Sequence, residues 1–126
     1  MKATEKTVIS LGEIVWDVFP QEKKLGGAPL NFAYYAHQNG AHSYIVSALG
    51  NDALGDETMA LISDIGVDYS HIQRNAYPTG QVIVTLSGDG IPQYDIREGA
   101  SWDHIETSPA ILELAAKADA ICWGAL

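Results

Sequence analysis

The sequence predicts an α/β fold: a doubly wound, mainly parallel sheet with a small second sheet standing off it as a lid. Three observations carry this. Short apolar runs alternate with helix-period segments along the 126 residues, the order that builds a parallel sheet covered by helices on both faces. One pair of strands, 81–87 and 91–97, alternates apolar and polar residues around Gly88-Asp89-Gly90; such a hairpin has one wet face and does not fit a sheet buried on both sides. The segment 14–25 leaves the core sheet and returns, so it is free to pair with that hairpin.

Taken in order, Val8, Ile9 and Leu11 mark a first core strand over 7–11, which Gly12 and Glu13 break. Residues 14–19 continue extended, and 20–24 read as a polar turn. Pro29 suits the first turn of a helix, where its missing N–H is no loss. That helix runs to about Asn39, with Gly40 beyond its end and Phe32, Ala33, Tyr34 and Ala36 on its small and aromatic face. A second core strand covers 43–49. Asn51 or Asp52 caps a helix over 53–65, whose Leu54, Thr58, Leu61, Ile62 and Ile65 share one face, and Gly66 ends it. Residues 67–73 are a short strand or extended link. After the hairpin, Ser108-Pro109 opens a last helix to about Lys117. The run 118–126 then reads as a buried parallel strand. Because the next element of such a fold would cover that strand, the chain is expected to be a fragment, with all of 1–126 belonging to one domain and the lid formed by about 14–25 and 80–98.

Composition narrows the partners. A formal charge of −9 with seven Lys and Arg argues against nucleic acid and anionic membranes. No apolar run reaches the length of a membrane span, and the N-terminal residues lack the apolar stretch of a signal peptide. The lone cysteine, Cys122, cannot form an internal disulfide and is expected to be a buried, inert thiol. The cytoplasm is the consistent compartment.

The candidate site lies near the first helix. Asp17 sits among Val15, Trp16, Val18 and Phe19, where a carboxylate must find donors or an exposed edge; a sugar offers adjacent hydroxyls to it. Gly26-Gly27 lets the backbone approach a ligand before a helix N-terminus with free N–H groups, although a tight strand-to-helix turn uses the same glycines. Asn31 can donate and accept toward vicinal hydroxyls, or serve a bond within the cap region. Arg97 and Glu98 close the hairpin and are expected at the lid mouth, with Arg97 toward a hydroxyl or anion or on a solvated face. Trp16 and Trp102 are candidates for a lid wall or for core packing. The segment Gly50-Asn51-Asp52-x-x-Gly55 reads as structural, a cap followed by a close-packing glycine. His37, His42, His71 and His104 have no zinc-ligand spacing, and no metal site is expected. The sequence has neither a Gly-x-Gly-x-x-Gly fingerprint nor a Gly-x-x-x-x-Gly-Lys-Ser/Thr loop, which disfavours a nucleotide-binding domain.

Gly26-Gly27-Ala28-Pro29-x-Asn31, with Gly40 and Gly50 at matching spacing, resembles the signature of the ribokinase-like (PfkB) carbohydrate kinases. Gly12-Glu13-x-x-Trp16-Asp17-x-Phe19-Pro20, Thr79-Gly80, Tyr94-x-Ile96 and Ala100-Ser101-Trp102-Asp103 look like the fructokinases in particular. The resemblance covers Val8 to Leu126. It implies a ribokinase-like fold, and sugar hydroxyls held by Asp17, Gly26, Gly27 and Asn31. It also implies an 81–97 lid through which two copies could pair, and transfer of a phosphoryl group from ATP, with Mg2+, to a sugar such as fructose. The family's catalytic Asp lies in a Gly-Ala-Gly-Asp motif absent from this sequence. The chain is therefore expected to carry no catalytic residue, to bind neither ATP nor Mg2+ by itself, and to be inactive alone. The alternative is a non-catalytic sugar-binding or interaction module.

Overall fold

A computed structural model describes residues 5–124; the first four residues and the last two of the 118–126 run lie outside the described part. Among the described residues eight strands and three α-helices follow in the order β1 (Thr7–Leu11), β2 (Val15–Val18), β3 (Lys23–Gly26), α1 (Ala28–Gln38), β4 (His42–Gly50), α2 (Ala53–Ile62), β5 (Ile72–Asn75), β6 (Gly80–Leu86), β7 (Pro92–Ile96), α3 (Pro109–Lys117) and β8 (Ala120–Trp123). A 3₁₀ turn, Ser101–His104, precedes α3.

The main sheet has the order β5-β4-β1-β8 with every pair parallel. The chain steps from β1 outward to β4 and β5, then returns across β1 to β8. That reversal is a topological switch point, where α/β sheets place ligands beyond the carboxyl ends of their strands. Leu30 and Ala33 of α1 and Ile62 of α2 pack with Ile14, Ile45, Leu49 and Val67 into one core. Val46 and Ala48, alternate residues of β4, are buried too, as befits a strand covered on both faces. By contrast α3 buries no residue, and on β8 the side chains of Ile121 and Trp123 are exposed while Cys122 is half-buried rather than fully enclosed.

The second sheet has the order β3-β2-β6-β7, so segment 14–25 does pair with the hairpin: β2 runs parallel to β6 and β3 antiparallel to β2. Three expectations shift. Residues 23–26 form strand β3, not the end of a turn. The second helix stops at Ile62, three residues early. The link after it becomes a strand only at Ile72. Val15, Val82 and Val84 form a small core for this sheet, against Phe19 and Trp102.

Trp16 does not wall the lid. It is 3% exposed and points from the opposite face of β2 toward α2, where its indole N–H donates to Thr58 Oγ1 at 2.9 Å. Lys23 Nζ lies 4.7 Å from the Trp16 ring and bonds Glu57 at 2.6 Å. These contacts seat the β2–β3 ribbon on the core. Trp102 sits on the other face, against Gly80, and its buried indole N–H has no partner among the described residues.

Candidate functional site

The site begins where β1 ends. Ser10 Oγ donates to the Pro29 carbonyl at 2.6 Å, tying the end of β1 to the first turn of α1. Gly27 precedes α1 with φ +104° and ψ 133°, a conformation open to glycine and strained for other residues. A Cβ there would stand 2.7 Å from the Glu13 carbonyl oxygen. The glycine therefore allows the loop before α1 to lie directly against the chain leaving β1.

Over this loop stands the lid sheet, and between them is an open cleft of about 450 Å³ lined by Glu13, Val15, Asp17, Gly27, Ala28, Val82, Tyr94 and Ile96. The strand registers explain the selection. Asp17 lies opposite Val82, and Val82 opposite Ile96; partners in register share a face, so all three look into the cleft. Glu13 continues the same alternation two residues before Val15. Gly26 pairs with Val15, and a Cβ on it would be 3.5 Å from Asp17 Oδ2, so the carboxylate lies beside that glycine. Neither the Asp17 nor the Glu13 carboxylate is engaged by a hydrogen bond or ion pair among the described residues.

The structure therefore brings Asp17 and Gly27 together in one cleft, with Gly26 beneath the carboxylate. Asn31 stands on the exposed first turn of α1, where its N–H donates to the Gly27 carbonyl at 3.0 Å; its side chain is outside the cleft lining. Arg97 does not reach the cleft. Its N–H bonds the Gln81 carbonyl at 3.0 Å, placing it opposite Gln81 and so on the outer face of the sheet, where it pairs with Asp95 at 3.5 Å. The alternation of the strand, odd against even, turns it away. Glu13, Tyr94, Ile96 and Val82 are cleft residues that sequence reasoning did not single out as site residues. The i, i+2, i+4 spacing of Glu13, Val15 and Asp17 was the available signal.

A second polar cluster fixes the root of the lid. Asp52 caps α2 by accepting from Gly55 N at 2.7 Å. It also accepts from Thr79 Oγ1 at 2.6 Å and Thr79 N at 2.9 Å, while Thr79 Oγ1 accepts from Gly50 N at 2.9 Å. Arg74 Nε donates to the Gly50 carbonyl at 2.9 Å. Burial pushes the Asp52 carboxyl up. The bonds from Thr79 and Gly55, with Arg74 nearby, outweigh it and hold the group below the usual carboxylate range. A Cβ on Gly55 would strike the Gly50 carbonyl oxygen. Thr79 is the residue before β6, so Asp52 anchors one lid strand to the core. At the other root, Ser101 Oγ donates to the Ala48 carbonyl at 3.0 Å.

Among the described residues the lining of this cleft has two carboxylates and no cation, whereas phosphates take up donors or positive charge. Among the described residues no group of three or more His, Cys, Asp or Glu is placed to hold a metal. The described helices include none long and apolar enough to cross a membrane.

The sequence matches the family described as pfkB family carbohydrate kinase over residues 2–126. The fructoselysine 6-kinase of Escherichia coli K12 is 26% identical over 89% of this chain and 52% of its own length, so the chain spans about half of that relative. The crystal structure of a Xylella fastidiosa fructokinase with bound ATP is 28% identical, with a TM-score of 0.70 over 79% of this chain and 33% of that one. A PfkB family carbohydrate kinase from Listeria grayi shares the fold, with a TM-score of 0.80 over 94% of this chain and 41% of its own, at 17% identity.

Proposed function

The chain belongs to the pfkB family of carbohydrate kinases, and from that membership we propose that it forms the sugar side of an ATP-dependent sugar kinase, with fructose as substrate. The observation that carries this reading is the cleft itself: an unengaged Asp17 carboxylate beside Gly26 and facing Gly27, at the carboxyl end of β1, under a sheet with apolar residues on its inner face. Carboxylates take up vicinal hydroxyls in pairs, and the apolar wall suits the C–H face of a sugar. Fructose is favoured by the local motifs and by the names of the two relatives above, a fructoselysine 6-kinase and a fructokinase.

ATP and Mg2+ belong to this reading as reagents of the whole enzyme. Phosphoryl transfer requires a positioned base and charge-neutralising groups at the phosphates, and no Gly-Ala-Gly-Asp segment occurs in these residues. The test is a single-turnover incubation of the 126-residue chain with labelled ATP, Mg2+ and fructose, beside a fructose-binding measurement. Binding without phosphorylated sugar is the expected result; phosphorylated sugar would refute the division of labour, and absence of binding would refute the sugar site.

The lid favours a further reading, pairing of two copies. Strand β7 is the edge of its sheet, and Tyr94 on it, Leu86 at the end of β6 and Ile91 in the turn between them are each more than 60% exposed; such edges add to other sheets. Light scattering across a concentration series tests it: dimer in the native chain and monomer in Tyr94→Lys support lid pairing, and a native chain that stays monomeric at all concentrations opposes it.

A further inference from the structure

We infer that Glu13 is a specificity-determining residue of the cleft, and that together with Asp17 it selects neutral or amine-bearing sugars over phosphorylated or acidic ones. This rests on the sugar-site reading above and goes further, to the charge of the substrate. Glu13 is only 6% exposed, yet no hydrogen bond or ion pair among the described residues engages its carboxylate. It lines the cleft. Its little remaining exposure opens on that cleft, so a bound ligand displaces the water that reaches the carboxylate, and ligand hydroxyl or ammonium groups replace that water by donating to it.

Among the described residues no cation pairs with either carboxylate. Lys24 lies opposite Asp17 in register, but its ammonium is 5.7 Å from the Phe19 ring and 3.7 Å from Glu22. Lys23 is engaged by Trp16 and Glu57 on the other face, and Arg97 by Asp95. The cleft is therefore negative, with Val15, Val82 and Ile96 as low-dielectric walls that leave its field poorly screened. An anionic ligand brings acceptors to two carboxylates that can only accept, and like charge to a site already negative.

The test is equilibrium binding of fructose, 1-amino-1-deoxyfructose, fructose 6-phosphate and gluconate to the 126-residue chain at fixed ionic strength, repeated with Glu13→Gln. The expected order places the amino sugar at or above fructose, and both anions at least about tenfold weaker than fructose. In Glu13→Gln the spread between amino sugar and anions narrows severalfold. Anions binding as tightly as fructose, or an unchanged spread in the variant, overturn the inference while leaving the sugar site standing. Failure of all four to bind overturns the sugar site, and this inference with it. Should the variant not fold, the native order and its compression by added salt decide the matter.

Discussion

Replacing Thr79 with Val keeps the shape of the side chain and removes its hydroxyl, which isolates the anchor between lid and core. Thr79 is 2% exposed. Its hydroxyl donates to the Asp52 carboxylate at 2.6 Å and accepts from Gly50 N at 2.9 Å. Two losses follow: a hydrogen bond to a charged group, and a Gly50 N–H left buried without its acceptor. Bonds to charged groups contribute about 1.5–3 kcal/mol, and an orphaned buried donor costs about 1–3 kcal/mol. Because Asp52 keeps the N–H groups of Gly55 and Thr79, the two do not simply add, and the expected loss is about 2–4 kcal/mol. Urea unfolding of native and variant chains at pH 7 measures it. A loss below about 0.5 kcal/mol, typical of a neutral surface change, would show that the anchor contributes nothing and that the reasoning is wrong.

Four further outcomes follow from the same geometry. Gly27→Ala puts a Cβ 2.7 Å from the Glu13 carbonyl at a positive φ, and is expected to cost about 1–3 kcal/mol in the same unfolding assay and to weaken sugar binding. Asp17→Ala is expected to cost about 1–3 kcal/mol of sugar affinity by calorimetry; unchanged affinity would remove Asp17 from the site. Trp16→Phe removes the indole bond to Thr58 and is expected to lower stability by about 1 kcal/mol with sugar affinity unchanged, because the ring faces α2 and not the cleft. Stability is expected to fall on acidification. At Asp68, as at Asp52, burial pushes the carboxyl up but bonds, there from Ser70 and His42, hold it below the usual range. A carboxyl whose folded value is depressed contributes fully above its unfolded value, about pH 3.9, and loses that contribution as pH falls through the folded value. Urea midpoints at pH 7 and pH 3 check this, and a midpoint no lower at pH 3 would contradict it.

Much of this fold could be read from the chain. The apolar run at 43–49 is a strand whose neighbours bury both faces, the run at 7–11 pairs beside it and buries Ile9 and Ser10, and Ser108 caps α3, accepting from Ile111 N. Strand β3 was illegible because Lys23 and Lys24 are exposed at a sheet edge, leaving no apolar alternation to detect. The 3₁₀ turn at 101–104 is too short for periodicity to register. In the site, Asp17 and Gly27 were legible because a carboxylate in an apolar strand and paired glycines before a helix are both unusual. Arg97 was misplaced because its face depends on the register of β7 against β6, which the turn at 88–90 sets and composition does not. Glu13 carried a parity signal, but its place in one cleft with Val82 depends on how segments some 70 residues apart in sequence come together.

The most direct test of the sugar cleft is a heteronuclear NMR titration of the 126-residue chain with fructose. Saturable amide shifts are expected at Glu13, Asp17, Gly26, Gly27, Ala28 and Tyr94, with the outer-face residues Trp16 and Arg97 little changed. Saturable shifts elsewhere, or no shifts at millimolar fructose, would contradict it.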